Sequence, residues 1–345
     1  MTMLHLRRRL GRLLRRYWKN NTARKPPIYD RRVKLVEHWS ASLGVPRRFY
    51  IYLPPEVGSG LIRRAPVVYF LRGHEREWIN PWEDSSRGGR QNVIDIYEQL
   101  RAAGSIGPLI LVFPGVTSTD GAIHGLAVNL RAPELARDNS IGSGRFEDYL
   151  VQDLIPYIDQ HYPTLAHGRH RGIDGFSLGG FMSVKLALQY PDLFTTVGAY
   201  DGLYFWDASD HPATVAATDR VLDNPLFDPA FGRPRDSAFI AKNSPLVLLR
   251  QSGRLAAQLR WLIEYGPRSG EPNDSNFHRG ERLVQLINAL DGRNELQGEV
   301  REGRHSWRNA DEHARRSLPL HWNYLSKAGC AGTAAHPQPD SAPGA

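Results

Sequence analysis

Cysteine is almost absent from this sequence, and long apolar runs are absent altogether. Cys330 is the only cysteine among 345 residues, and it lies in a stretch of small and polar residues. A disulfide framework, a cysteine-based zinc site and a cysteine nucleophile are therefore disfavoured. No segment reaches the roughly 18 apolar residues that a membrane-spanning helix needs. We expect a cytoplasmic protein, although a cysteine-poor exported protein would have the same composition.

Two motifs for nucleotide and metal chemistry are also missing. The chain has no Gly-x-x-x-x-Gly-Lys-Ser/Thr loop and no His-Glu-x-x-His pair, so we expect an activity that needs no cofactor or metal. What the chain does have is 41% hydrophobic and 10% aromatic residues, which suits a large buried core. Because no internal repeat or linker interrupts the sequence, we predict one domain over residues 33–325.

Positive charge is concentrated at the N-terminus. Residues 1–34 contain twelve Lys or Arg against a single acidic residue, Asp30, although the whole chain has a net charge of only +8. Apolar residues recur there at helical spacing among the arginines, so we predict that residues 1–32 form a basic amphipathic arm. It could contact an anionic membrane peripherally or pack on the body. No recognition motif predicts a specific nucleic-acid partner.

The two ends of the chain differ in composition from its body. Arginines interrupt any apolar segment at the N-terminus, which disfavours a secretory signal. Residues 326–345 are small and polar, with little to bury, and we predict a disordered tail. The sequence gives no indication of the oligomeric state.

The body of the chain first shows strand patterns. Residues 33–43 and 47–55 alternate polar and apolar side chains, as half-buried antiparallel strands do. The runs at 65–73, 107–115 and 195–202 are largely apolar and end in glycine or an Asp-Gly pair. Such runs are typical of strands that are buried on both faces of a parallel sheet.

Helical patterns lie between and after these strands. They cover residues 145–162, 183–194 and 281–290, and two late strands are predicted at 260–266 and 295–303. This alternation predicts an α/β fold with a mostly parallel central sheet and helices on both faces.

One glycine-rich turn is a candidate for a catalytic nucleophile. Residues 170–188 read as strand, sharp turn and helix, with Ser177 between Gly175 and Gly179. Glycines on both sides allow the tight turn that exposes a nucleophilic serine at the start of a helix. A serine that merely caps a helix after a glycine turn is the alternative.

A nucleophilic serine needs a histidine base and an acid to orient it. His305 follows the late strand at a turn, in the chain order Ser–acid–His that this type of fold uses. His313, the nearest competitor, is predicted to lie on the next helix. For the acid we favour Asp274, which lies in a hydrogen-bonding turn. Glu271 is the alternative, and Asp201, directly after a strand, is the third candidate.

The oxyanion hole of such a site combines two backbone N–H groups. One belongs to the residue after the nucleophile, here Leu178, and the other to the loop after the third strand, where His74 lies. Several aromatic side chains near these segments could line a substrate pocket or belong to the core. They are Trp78, Trp82, Tyr204, Phe205, Trp206 and Trp307.

Together these residues resemble the putative esterase family of α/β-hydrolases, which includes esterase D, enterochelin esterases, feruloyl esterases and mycolyltransferases. The likeness spans about residues 33–325. Its most specific parts are VVYFLRGHEREW, FEDYLVQDLIPYIDQHYP, IDGFSLGGFMSVKLALQYPDLF and GRHSW.

The resemblance implies a residue for each role. The nucleophile falls on Ser177, the base on His305, and the oxyanion donors on Leu178 and His74. Many members have His-Gly or Asp-Gly where this chain has Arg72-Gly73, which leaves the backbone donors available. The segment that carries the acid is longer than usual, so the acid is not assigned by the resemblance.

The implied activity is that of a serine carboxylic ester hydrolase that acts on a small-molecule ester through an acyl-enzyme intermediate. Two other functions fit the same residues. One is acyl transfer to a sugar or lipid alcohol, and the other is a non-catalytic α/β-hydrolase scaffold used for binding.

Overall fold

Seven strands form one mixed sheet in the part of the chain that the structure describes. The computed structural model describes residues 30–205, 221–271, 275–290 and 303–327, apart from the side chain of Arg254. Asp274, Trp206, nearly all of the predicted strand at 295–303, most of the predicted arm and nearly all of the tail lie outside these ranges. The strands are β1 (Val33–Ser40), β2 (Val45–Tyr52), β3 (Val67–Leu71), β4 (Ile110–Pro114), β5 (Arg171–Gly175), β6 (Thr196–Tyr200) and β7 (Arg260–Glu264).

The strand order confirms the predicted α/β-hydrolase architecture. The sheet runs β1-β2-β4-β3-β5-β6-β7. The β1–β2 and β2–β4 pairs are antiparallel, and the other pairs are parallel. Every residue of β3, β4, β5 and β6 is buried, whereas β1 also has exposed residues. This is the difference that the apolar and alternating patterns predicted.

Helices cover both faces of the sheet. They are α1 (Pro55–Gly58), α2 (Val93–Ala102), α3 (Phe146–Asp148, continuing through Tyr149–Leu154 and Ile155–His161), α4 (Leu178–Gln189), α5 (Asp228–Phe231), α6 (Ser237–Asn243), α7 (Pro245–Ala256), α8 (Phe277–Asn288) and α9 (Trp307–Leu325). Short 3₁₀ turns occupy Pro133–Leu135, Asn139–Ile141, Gly168–His170, Val221–Asp223, Pro225–Phe227 and Arg268–Gly270.

The alternation of side chains along β3 divides the core in two. Val68 and Phe70 belong to a cluster with α2 and α9. Val67, Tyr69 and Leu71 belong to a larger cluster with α3, α4, α7 and α8. Successive side chains of a strand point to opposite faces, so one short apolar strand supplies both cores. No helix in the described ranges is long and apolar enough to cross a membrane.

A group of titratable side chains lies wholly inside the protein between the sheet and α9. His313 on α9 lies between Glu264 of β7, at 2.5 Å, and Asp174 of β5, at 3.2 Å. His321, further along the same helix, lies with its Nε2 3.3 Å from the other oxygen of Asp174. All four residues are buried. Burial opposes charge on His313, but the two carboxylates outweigh it and raise its pKa to about 9.

We expect replacement of His313 by glutamine to destabilise the fold by about 3–5 kcal/mol, because the buried carboxylate of Asp174 loses its charged partner and Glu264 keeps only its bonds from Arg316. In the wild type, the raised pKa means that the stabilisation by His313 is complete below about pH 6.5, the pKa of an unfolded histidine. It is lost as the pH rises towards 9, because the unfolded chain then releases its proton first.

Urea unfolding between pH 5 and 9 measures this effect. The loss of stability above pH 6.5 should be smaller in His313→Gln than in the wild type. His161→Gln, at an exposed position on α3, is the control and should keep the wild-type profile. Equal pH dependence in wild type and His313→Gln would show that His313 is not the cation of this cluster.

Candidate active site

Ser177 lies in the sharp turn between β5 and α4. Its backbone has φ 58° and ψ −115°, a region that residues with side chains rarely adopt and that the surroundings must enforce. The Ser177 N–H donates to the carbonyl of Tyr200 at 3.0 Å, and its carbonyl accepts from the N–H of Leu203 at 3.1 Å. The turn is therefore fixed against the segment that follows β6.

The two glycines beside the serine are required by close packing. A Cβ on Gly179 would lie 1.9 Å from the carbonyl oxygen of Leu71, and one on Gly175 would lie 2.2 Å from the backbone of Gly179. The backbones of β3, β5 and α4 can approach this closely only without side chains there. The Gly-x-Ser-x-Gly spacing thus has a packing cause in this fold.

The imidazole of His305 is held by a carboxylate. Its Nδ1 lies 2.6 Å from Oδ2 of Asp201, whose side chain is completely buried. The His305 ring also packs on Phe176, the residue before the serine, with a centroid distance of 4.7 Å. With its proton on Nδ1 and shared with Asp201, the neutral ring has its basic nitrogen at Nε2.

Asp201 is itself fixed by the neighbouring strand and helix. Its other oxygen, Oδ1, accepts from the N–H groups of Gly266 at 3.0 Å and Asn276 at 2.9 Å. Its backbone has φ 46°, and its N–H donates to the carbonyl of Glu264 at 2.8 Å. A carboxylate that accepts two backbone N–H bonds and one imidazole N–H has the arrangement of a triad acid.

Among the described residues, the carboxylate in contact with His305 is Asp201, our third candidate. Asp274 lies outside the described residues. Glu271 accepts a hydrogen bond from the N–H of His278, at 2.7 Å, in the first turn of α8. Of the two described candidates, Asp201 is the one in contact with His305. The Asp-Gly pair directly after the buried strand β6 was the only local signal for it.

The two predicted oxyanion donors differ in their surroundings. Leu178 is the first residue of α4, where the N–H groups have no acceptor within the helix. The N–H of His74 instead donates to the carboxylate of Glu77 at 2.7 Å. The N–H at the predicted position therefore already donates a hydrogen bond to a side chain of the same loop.

Comparison with known proteins shows the family. The sequence model of the family described as "Putative esterase" matches residues 40–308, which is most of the chain. The chain belongs to this family. The match confirms the family that the sequence motifs resemble.

The endo-1,4-beta-xylanase/feruloyl esterase of Xylanibacter ruminicola is 28% identical over 173 residues, which are 49% of this chain and 21% of that protein. The chain thus matches about a fifth of the length of this curated relative.

Solved structures of esterases have the same fold. A ferulic acid esterase superposes with a TM-score of 0.60 at 18% identity, over 85% of this chain and 98% of its own. The fluorophosphonate-binding serine hydrolase F of Staphylococcus aureus superposes with a TM-score of 0.59 at 14% identity, over 84% of this chain and 98% of its own.

Aromatic packing connects the parts of this candidate site. The ring of Phe176 contacts Trp307 at a centroid distance of 5.1 Å, and Trp307 contacts Trp78 at 5.2 Å. The guanidinium of Arg72 lies 5.4 Å from the Phe176 ring centroid. Trp78, Tyr204, Phe205 and Trp307 are buried core residues, whereas Trp82 is 69% exposed.

The polar groups around His74 include one imidazole that is held neutral. Burial, and then the positive charge of Arg72, lower the pKa of His124 to about 4. Its Nδ1 lies 3.2 Å from the hydroxyl of Thr117. Burial disfavours the charged form of Glu75, but hydrogen bonding to His74 and to its own backbone outweighs this and lowers its pKa.

In the described part of the chain, no group of three or more His, Cys, Asp or Glu side chains could hold a metal ion.

Proposed function

We propose that this protein is a serine esterase whose triad is Ser177, His305 and Asp201. The observation that carries the proposal is the 2.6 Å contact between His305 Nδ1 and the buried carboxylate of Asp201. Asp201 follows β6 directly, and the carbonyl of Tyr200, one residue earlier, accepts from the Ser177 N–H. The base and the nucleophile are therefore fixed to the same short segment.

In the first half of the reaction, Nε2 of His305 accepts the hydroxyl proton while Oγ of Ser177 bonds to the ester carbonyl carbon. Asp201 stabilises the imidazolium that forms. Collapse of the tetrahedral intermediate breaks the ester bond, and the leaving alcohol takes the proton from His305. Water then attacks the acyl-enzyme by the same route and releases the acid.

The tetrahedral oxyanion accepts hydrogen bonds from the N–H groups of Leu178 and His74. Because Glu77 holds the His74 N–H, the carbonyl oxygen of the substrate must displace that carboxylate before the second donor is available. Donors that are fixed in place where negative charge develops lower the barrier most.

Labelling and turnover of the wild-type protein test the proposal. A fluorophosphonate probe should modify Ser177, detected by mass spectrometry on the tryptic peptide 172–185, which ends at Lys185. p-Nitrophenyl esters of rising acyl length should be hydrolysed. A ferulate ester is included because two similar proteins are named for feruloyl or ferulic acid esters.

Each alternative gives a different result. Addition of a sugar or lipid alcohol that diverts most of the acyl group from water would indicate a transferase. Absence of both labelling and ester turnover would contradict the triad and favour the non-catalytic scaffold.

A further inference from the structure

Arg87 makes an unusually complete set of hydrogen bonds in the interior. Its Nε and Nη2 donate to the two oxygens of Asp311, at 2.8 and 2.6 Å. Its Nη1 donates to the carbonyls of Glu77 and Asn80, at 2.6 and 2.7 Å, and Nη2 donates to the carbonyl of Trp78 at 3.1 Å. The side chain is fully buried, and these five bonds use all five N–H groups of a guanidinium.

The partners of Arg87 lie on the two sides of the active site. The three carbonyls belong to the segment just after the oxyanion donor His74, and one of them is the carbonyl of Glu77, whose carboxylate holds the His74 N–H. Asp311 lies in the first turns of α9, which begins two residues after His305. One side chain therefore binds the oxyanion loop to the helix that follows the base.

Neighbouring contacts strengthen the same connection. The guanidinium of Arg87 lies 4.4 Å from the ring centroid of Trp307. The carboxylate of Asp84 accepts from the N–H of Trp307 at 3.2 Å, and the hydroxyl of Ser86 accepts from the N–H of Arg308 at 3.1 Å. The loop that carries Arg87 is thus bonded to the first residues of α9, next to the base.

The stability of the fold does not by itself account for the buried pair of Arg87 and Asp311. The desolvation of a buried ion pair offsets most of its attraction, so a pair of apolar residues of similar size often stabilises a protein as well or better. Apolar residues could not bind three carbonyls and a carboxylate in one plane, which the guanidinium does. What Arg87 supplies beyond packing is a fixed position of one loop relative to the other.

We propose that Arg87, through its pair with Asp311, is a positioning residue that sets the oxyanion loop relative to His305. The proposal rests on the proposed function. A displacement of about 1 Å in a catalytic group costs about a hundred-fold in rate, so loss of this connection should lower kcat much more than it changes KM.

The decisive variant is the double substitution Arg87→Met/Asp311→Leu, which replaces the ion pair by apolar side chains and leaves no buried charge alone. We expect cooperative unfolding at a lowered midpoint, because the carbonyl of Glu77 loses the donor that Arg87 supplies. We expect kcat on a p-nitrophenyl ester to fall by about a hundred-fold, with KM little changed. The matched control is Arg48→Met/Glu37→Leu, which removes an exposed ion pair between β1 and β2 and should keep the wild-type kcat.

Arg87→Lys is the second variant, in case the double variant does not fold. Lysine can pair with Asp311 but cannot bind the three carbonyls at the same time, so kcat should again fall with KM retained. A wild-type kcat in a folded variant, or a change confined to KM, would overturn the positioning role. If wild-type protein neither labels nor hydrolyses esters, it is the proposed function that fails.

Discussion

Ser177→Ala is expected to lower kcat for ester hydrolysis by on the order of a million-fold, the loss typical of a triad nucleophile. Serine and alanine both carry a Cβ, so the backbone strain at φ 58° is the same in the two proteins and only the hydroxyl is removed. The unfolding midpoint should therefore stay the same while turnover of p-nitrophenyl esters and fluorophosphonate labelling are lost.

Ser183→Ala provides the control for this change. Ser183 lies in α4, the helix that follows Ser177, and its hydroxyl shares its one proton between the carbonyls of Gly180 and Gly198, at 3.1 and 3.0 Å. Both bonds are structural, so this variant should label and turn over substrate at close to the wild-type rate. Retention of ester turnover by Ser177→Ala, with purified protein free of contaminating esterase, would remove Ser177 from the mechanism.

Asp201→Asn is expected to lower kcat by about ten-thousand-fold, because it changes which nitrogen of His305 carries the proton. The asparagine oxygen can still accept from the N–H groups of Gly266 and Asn276. Its amide NH₂ then faces Nδ1 of His305 and donates to it, which places the imidazole proton on Nε2. The ring can no longer take the proton of Ser177, although the site keeps its shape.

This prediction separates the three carboxylates that the sequence left open. Asp274→Asn and Glu271→Gln should keep kcat within a few-fold of the wild type when measured on the same ester, as changes outside the triad do. A ten-thousand-fold loss in Asp274→Asn, with Asp201→Asn nearly fully active, would move the acid back to the position that the sequence favoured.

The sheet itself was predictable because its signals are local. An apolar run that ends in glycine, such as the one that became β3 or β4, reports burial on both faces without any knowledge of the neighbouring strands. The helix α3 was predictable for the same reason, although its middle part, Tyr149–Leu154, is a π-helix. Pro156 follows this part and lacks the N–H that a regular helix needs, which the apolar pattern alone did not convey.

The sequence by itself determined the fold class and the position of the serine turn, because glycine spacing and apolar periodicity act over a few residues, and its motifs resemble those of the family. The tertiary structure decided which carboxylate contacts His305 and which group occupies the His74 N–H. Asp201 contacts a histidine 104 residues later because the segment before α9 packs against the end of β6, where the hydroxyl of Tyr200 donates to the carbonyl of Arg304. Contacts between such distant segments depend on the packing of the whole sheet, and no short stretch of sequence encodes them.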